Sequence, residues 1–296
     1  MSTVRPIVCV GALHVDAKAR VSGAVVPRTS NPAVVTRTPG GVACNVARTL
    51  AKLEVPVSLV SVVGDDALGR GLVARVAGEG VGVDGVVMVA GAATAEYTAV
   101  LDGSGALAVG VADMAIYEHL DAAVIRPAVD QLGWSALWCA DANVTPSGLE
   151  TLAPVAPDLY LDPVSVAKAP KLLPLLPGVA GVFPDVAEAT ALTRAKRPER
   201  AVRSLIAAGV GRVVVTLGPA GVLDSAGMER RRAFAAGPVV DVTGAGDAFL
   251  AGFLAALAHA EPDPVAWGLA AASLAVETLE SVPDDLSLSK LQARLG

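Results

Sequence analysis

A series of short, largely apolar runs, each broken off at a glycine or an aspartate, constrains this chain most. They are Ile7–Val10 before Gly11, Val57–Val63, Ala136–Ala140 before Asp141, Leu159–Leu161 before Asp162-Pro163, Val179–Phe183 before Pro184-Asp185, and Arg212–Leu217 before Gly218. Runs of this kind read as strands buried on both faces. Helical spacing fills the stretches between them. Gly41–Leu53 sets Val42, Val46, Ala47, Leu50 and Leu53 on one face, and Leu68–Glu79, Ala187–Ala195, Glu199–Ala208, Ala245–Ala260, Pro264–Thr278 and Ser287–Leu295 follow suit. Strands alternating with helices predict an α/β fold with a doubly wound, mostly parallel sheet. Ligands of such sheets lie beyond the carboxyl ends of the strands. That rule gathers Gly11 to Asp16, Asp141, Asp162, Asp185 and Gly218 as candidates. Two segments break the alternation: 17–38, and a hairpin in which Tyr97–Leu101 and Ala106–Val111 flank Asp102-Gly103-Ser104-Gly105. They predict a small β lid, formed by about residues 12–38 and 88–112, on a single domain spanning 1–296.

Composition excludes several classes. Hydrophobic residues make up 53% and charged residues 18%, ample apolar surface to offset the entropy of ordering. A net charge of −6 argues against nucleic acid or an anionic membrane as partner. The basic run Glu229-Arg230-Arg231-Arg232 reads as a solvated turn. Apolar stretches such as Ala248–Ala258 and Val265–Val276 fall short of the roughly 20 residues a membrane span needs. The opening Met1-Ser2-Thr3-Val4-Arg5-Pro6 lacks the pattern of a secretory leader. Cys9, Cys44 and Cys139 are far apart and odd in number, so reduced thiols and a cytoplasmic location are expected. His14, His119 and His259 have no metal-ligand spacing, and no Walker A pattern occurs. Gly80-Val81-Gly82-Val83-Asp84-Gly85 satisfies G-x-G-x-x-G, but it follows a helix and leads into a strand. That is the reverse of a dinucleotide loop, so it reads as a helix C-cap and turn.

Five segments carry candidate chemistry. In Asp241-Val242-Thr243-Gly244-Ala245-Gly246-Asp247 a glycine-rich turn opens a helix, whose first amides have no partner within it and can receive an anion. Asp247 is then either a favourable acid at a helix start or a general base beside a transferring phosphate. Gly40-Gly41-Val42-Ala43-Cys44-Asn45 also opens a helix. Its glycines permit close backbone approach and Asn45 offers a donor and an acceptor to a sugar hydroxyl, or else it is an ordinary junction with a packed Asn. Asp16 in Gly11-Ala12-Leu13-His14-Val15-Asp16 could accept two sugar hydroxyls, with His14 read as packing or lid contact rather than catalysis. Asp185 and Glu188 either organise Mg²⁺ through water or form a capping box. Thr216-Leu217-Gly218-Pro219-Ala220-Gly221 could pass under a nucleotide.

Taken together and in this order, these elements resemble the ribokinase-like (PfkB-type) sugar kinase family over essentially the whole chain. The carriers are Gly-Gly-x-x-x-Asn at 40–45 and Asp-x-Thr-Gly-Ala-Gly-Asp at 241–247. Softer stretches are most similar to the pseudouridine kinases: Ser30-Asn31-Pro32, Tyr97–Asp102, Ala112–Ile116, Asp162-Pro163-Val164-Ser165 with Lys168, and Leu274–Glu277. The resemblance implies ATP-dependent phosphorylation of the 5′-hydroxyl of pseudouridine, with ribose, adenosine, cytidine, a hexose, or a silent nucleoside-binding role as alternatives. It implies Asp247 as base and the amides of Gly244, Ala245 and Gly246 as the anion hole. Asp16, Asn31, Gly40, Gly41 and Asn45 would hold the substrate, and Asp185, Thr216, Gly218, Gly221 and Gly246 the nucleotide. Glu188 would place Mg²⁺ through water, and loop carbonyls near Asp241 and Thr243 could bind a monovalent cation such as K⁺. A small-molecule substrate and a homodimer through the lid edge complete the expectation. Two departures stand out: Asp185 replaces the family's usual Asn, and Ala270-Ala271-Ala272-Ser273 lacks the Asn that many relatives carry there.

Overall fold

Ile7 and Cys9 join one buried cluster and Val8 and Val10 another, so this four-residue strand must be covered by helices on both faces. The computed structural model describes residues 4–235 and 237–296; Met1–Thr3, the head of the stretch read for a leader, lie outside the described residues. The chain begins with β1 (Ile7–Val10), β2 (His14–Val21), β3 (Ala33–Gly40), α1 (Val42–Lys52), β4 (Val57–Gly64), α2 (Ala67–Gly78) and β5 (Gly82–Val89). It continues through β6 (Glu96–Leu101), β7 (Leu107–Asp113), α3 (Ala122–Leu132), β8 (Leu137–Asp141), α4 (Pro146–Thr151), β9 (Leu159–Asp162), β10 (Gly181–Val182), α5 (Val186–Thr193) and α6 (Pro198–Ala207). It ends with β11 (Arg212–Thr216), β12 (Val222–Asp224), β13 (Glu229–Arg231), α7 (Ala245–Ala258), α8 (Pro264–Ala275) and α9 (Leu288–Leu295).

The main sheet runs β13-β12-β11-β10-β9-β8-β1-β4-β5. Its members from β11 to β5 pair in parallel, and β12 and β13 add an antiparallel hairpin at one edge. From β1 the chain first builds outward through β4 and β5, then turns back through β8, β9 and β10. The switch point therefore lies between β1 and β8, where a ligand crevice opens at the carboxyl ends. The doubly wound expectation holds. Helices α7 and α8 pack closely because Gly252 and Gly268 face each other; a Cβ at Gly252 would come within 2.6 Å of the Trp267 carbonyl.

The second sheet has the order β3-β2-β6-β7. Its boundaries correct the sequence reading at one end. Residues 88 and 89 belong to β5 of the main sheet, and the small sheet's second half starts at Glu96. β2 and β6 run parallel and sit side by side, which no hairpin signal could show. β10 is two residues long where five were expected, and parallel contact with β11 resumes past Pro184, where Asp185 bridges Thr216. The decoy glycines fall as anticipated: Gly80, at φ 91°, closes α2, and Gly82 lies inside β5. No described helix is long and apolar enough to cross a membrane.

Candidate active site

Gly244 precedes α7 in the left-handed conformation, φ 80°, and a Cβ there would come within 2.9 Å of the Ser281 carbonyl. No side chain caps this helix. The Ala245 amide reaches back to the Val242 carbonyl at 3.3 Å, which takes it out of the expected set. Among the described residues, the amides of Gly244, Gly246 and Asp247 have no hydrogen-bond partner, and they stand at the positive end of the helix. A Cβ at Gly246 would meet no atom within 4 Å, so packing does not require a glycine there, and the residue lines an open cavity.

Asp247, in the first turn of α7, accepts a hydrogen bond from Asn45 Nδ2 at 2.8 Å. Burial, with further push from Asp141, Asp16 and Glu188, raises its carboxyl to about 7, and the Asn45 bond opposes the rise. A strip of the side chain still faces the cleft. The group is thus a carboxylate that can take a proton near neutral pH. Asn45 Oδ1 is buried and has no hydrogen-bond partner. An unpaired buried acceptor is expensive, and a substrate hydroxyl is the donor that would satisfy it.

Asp16 lies on β2, with its Oδ1 3.1 Å from His14 Nε2; His14 Nδ1 in turn lies 3.0 Å from the Tyr117 hydroxyl. Burial keeps that phenol protonated, and a carboxylate only accepts. In the tautomer that carries its proton on Nε2, His14 donates to Asp16 from that atom and accepts from the Tyr117 hydroxyl at Nδ1. Sequence reading assigned His14 to packing or lid contact; its place in this relay could have been suspected only from its position two residues before Asp16. Gly40 is required by the same carboxylate: a Cβ there would sit 2.3 Å from Asp16 Oδ2. Gly41, at φ 99°, caps α1, and a Cβ would strike the Ala12 carbonyl at 2.4 Å. Both glycines thus answer to close packing as well as to any ligand.

Asp141 ties this corner together. Its Oδ2 accepts from the Ala12 and Ala43 amides at 2.8 and 3.1 Å, and its Oδ1 from the Asn143 amide and side chain. The end of β1, the start of α1 and β8 are pinned by one carboxylate. Asn31 is not brought here. It sits in the β2–β3 connection with its Oδ1 on the Val26 amide and its Nδ2 on the Val26 and Thr29 carbonyls.

Asp185 and Glu188 form a full capping box on α5. Asp185 accepts from the Glu188 amide at 2.7 Å and Glu188 Oε2 from the Asp185 amide at 2.9 Å. Thr216 bridges directly to Asp185, which sets the nucleotide candidates on adjacent strand ends. Thr216, Gly218, Gly221 and Gly246 all line one cavity of about 420 Å³, walled by Phe249, Leu269 and Ala272. Gly221 is dictated by crowding, since a Cβ would lie 2.0 Å from the Arg231 carbonyl.

Asp162, at the end of β9, was gathered as a strand-end group but given no role. Burial, with Asp247 and Glu188 nearby, pushes its carboxyl well above the usual range. It accepts a bond from the Val164 amide at 2.7 Å, and Val164 holds the left-handed φ of 64° that a β-branched residue avoids. Such strain at a buried acid is a common mark of a working site. The Asp-Pro pair closing a strand was the available signal.

A family model described as pfkB family carbohydrate kinase matches residues 4–285. The chain belongs to this family. It is 28% identical over 296 residues to the pseudouridine kinase of Escherichia coli (strain K12), covering 96% of this chain and 95% of that protein. A carbohydrate kinase from Agrobacterium tumefaciens superimposes with a TM-score of 0.85 at 29% identity, over 99% of this chain and 97% of that one. A structure described as a ribokinase II from Escherichia coli, in complex with ATP and Mg²⁺, shares the fold with a TM-score of 0.84 at 18% identity, over 98% of each chain.

In this PfkB-family kinase the donor set suits a shared Mg²⁺. Glu188 leaves Oε1 unbonded, and burial raises its carboxyl, so a nearby dication would be welcome. Among the described residues no three such ligands are grouped to hold a metal by themselves. Mg²⁺ commonly keeps its waters and relies on nucleotide phosphates plus one or two carboxylates. The residues expected to hold K⁺ fit less well. Asp241 Oδ1 accepts from the Thr243 amide and hydroxyl at 2.9 and 2.7 Å, and its Oδ2 is taken by Lys18 Nζ at 2.9 Å. The same ammonium touches the Leu279 carbonyl at 3.4 Å. The Lys18 ammonium thus already meets the Asp241 side chain and one loop carbonyl.

Proposed function

We propose that this kinase transfers the γ-phosphoryl group of ATP to the 5′-hydroxyl of a nucleoside, pseudouridine foremost. One observation carries the reading: Asp247 stands in the first turn of an uncapped helix, its carboxyl raised to about 7, one residue from an amide that no described residue occupies. The sugar is held by Asp16 and by the unpartnered Asn45 Oδ1. Asp247 takes the hydroxyl proton as the new O–P bond forms and the bond from phosphorus to the bridging oxygen breaks, releasing ADP. The amides of Gly244 and Gly246 receive charge on the transferring group. Glu188 and Asp162 would help place Mg²⁺, which would neutralise charge on the phosphates. The nucleotide base fits the apolar cavity beside Thr216, Gly218 and Gly221. Positioning and electrostatics of this kind account for most phosphoryl-transfer catalysis.

Pseudouridine is favoured by the similarity to the pseudouridine kinase over nearly the whole of both chains. The small sheet acts as a lid, since its strand β2 carries Asp16 into the cleft. A homodimer forms through that sheet. β7 is exposed along its whole length at the sheet's edge and presents Leu107, Val109 and Val111. The deciding assay follows phosphate transfer from labelled ATP to pseudouridine, uridine, cytidine, adenosine, ribose and a hexose. Pseudouridine should give the highest kcat/KM. Preference for another acceptor would replace the substrate, and turnover of none would leave a silent binding protein.

A further inference from the structure

Between the end of α5 and the exposed face of α6 lies a second cavity, of about 730 Å³. Arg194, Lys196, Arg197, Arg200 and Arg203 line it, and no acidic residue does. The chain carries 23 lysines and arginines and a net charge of −6, so five cations within ten positions are a sharp local reversal. Among the described residues, none of the five has a carboxylate within ion-pair reach. Glu199, the one acid in that stretch, is drawn away to Arg230. Arg197, Arg200 and Arg203 recur every third residue and so share one face of α6. The opposite face, Ala201, Val202 and Leu205, is buried in the core. Like charges at this spacing repel and destabilise the helix. Arg197 is also the N-cap of α6 and makes no side-chain cap, and the Glu199 amide turns onto its own carboxylate, so the arginine side chains, not the helix amides, are the groups offered to a ligand.

We infer that this cavity is a binding site for a polyphosphate anion, separate from the active site. Clustered guanidinium forks suit phosphate oxygens, and the depression is open enough for several of them to reach one ligand from solvent. The site is remote from the chemistry. Asp185 and Glu188 occupy the opposite end of α5, a helix of eight residues and so about 12 Å long.

Isothermal titration with sodium tripolyphosphate, ATP and GTP tests this on the full chain, using wild type and the triple variant Arg197→Ser, Arg200→Ser, Arg203→Ser. Wild type should bind tripolyphosphate, more weakly as salt rises, and the variant should lose at least tenfold in affinity. Its melting temperature should not fall, because the replaced side chains are exposed and mutually repelling. Equal binding of ATP, GTP and tripolyphosphate at this site would mark the phosphate chain as the ligand; tighter binding of one nucleotide would add a base contact to the same site. Tripolyphosphate affinity unchanged in the variant, or no binding to wild type, overturns the inference. So does a single-stranded RNA that binds wild type more tightly than tripolyphosphate and loses that affinity in the variant.

Discussion

Replacing Asp247 by Asn should make the protein more stable and nearly inactive, and the gain in stability should depend on pH in a defined way. In the folded chain burial lifts this carboxyl from its ordinary 3.8 to about 7. Between those two values the folded state binds a proton that the unfolded state has released. Stability therefore falls as pH climbs through that window, and the whole loss is present above pH 7. At 1.36 kcal/mol per pH unit the loss comes to about 4 kcal/mol. That figure is a ceiling, because cleft water reaches one side of the group. Asn is nearly isosteric, can still accept the Asn45 Nδ2 hydrogen bond, and carries no charge to desolvate. At about 2–4 °C per kcal/mol, the variant should melt several degrees above wild type at pH 8 and almost level with it at pH 4. Turnover should drop by on the order of 10²-fold or more. Wild-type kcat/KM should fall about tenfold per unit below pH 7, as the base becomes protonated. Calorimetry across pH 4–8 and a pH–rate profile are the measurements. A melting difference that stays constant with pH would show that Asp247 is not a strained, buried charge. Near-normal turnover by the variant would show that it is not the base.

Other consequences are checked in similar ways. Asp16→Ala should raise the KM for the acceptor far more than it lowers kcat, and calorimetric titration of the acceptor should show the lost affinity; unchanged affinity would reject the contact. Asp185→Asn keeps the oxygen that caps α5 and removes a negative charge beside the nucleotide cavity, so the melting temperature should hold while ATP binds more tightly. A weaker ATP complex would mean the site has adapted to Asp. Lys18→Met frees Asp241 Oδ2 and the Leu279 carbonyl. Wild type should melt at the same temperature in KCl as in choline chloride of equal ionic strength, whereas the variant should gain a K⁺-dependent rise. An equal rise in both would mean that Lys18 does not occupy the position.

Much of this site could be read in the sequence because its parts are local. The Gly244 turn, the helix it opens and Asp247 in the first turn are consecutive residues, and each strand run ended at a punctuating Asp or Gly. Contacts between distant segments could not be read that way. Lys18 and Asp241 are 223 positions apart and Tyr117 and His14 103 apart, and nothing in either residue's surroundings announces its partner. The side-by-side pairing of β2 with β6 and the amide of Ala245 turned onto Val242 are likewise products of packing. Asn31 shows the reverse failure. Its motif was visible, but short-range bonds to Val26 and Thr29 consume its amide.

The cleft gathers five carboxylates, yet they divide by how their charge is met. Asp141 accepts four hydrogen bonds and Asp16 lies beside His14, so the charge of each is met from within the chain. Asp162, Glu188 and Asp247 accept one bond each, and burial raises all three. A pocket of this kind opposes a bare nucleotide polyanion and welcomes one that arrives with a dication. It follows that Mg²⁺ should tighten ATP binding more steeply than screening alone explains. Glu188→Gln should remove part of that dependence while leaving the acceptor's affinity intact. Equal ATP affinity with Mg²⁺ and with a chelator would mean that these carboxylates face something other than the phosphates.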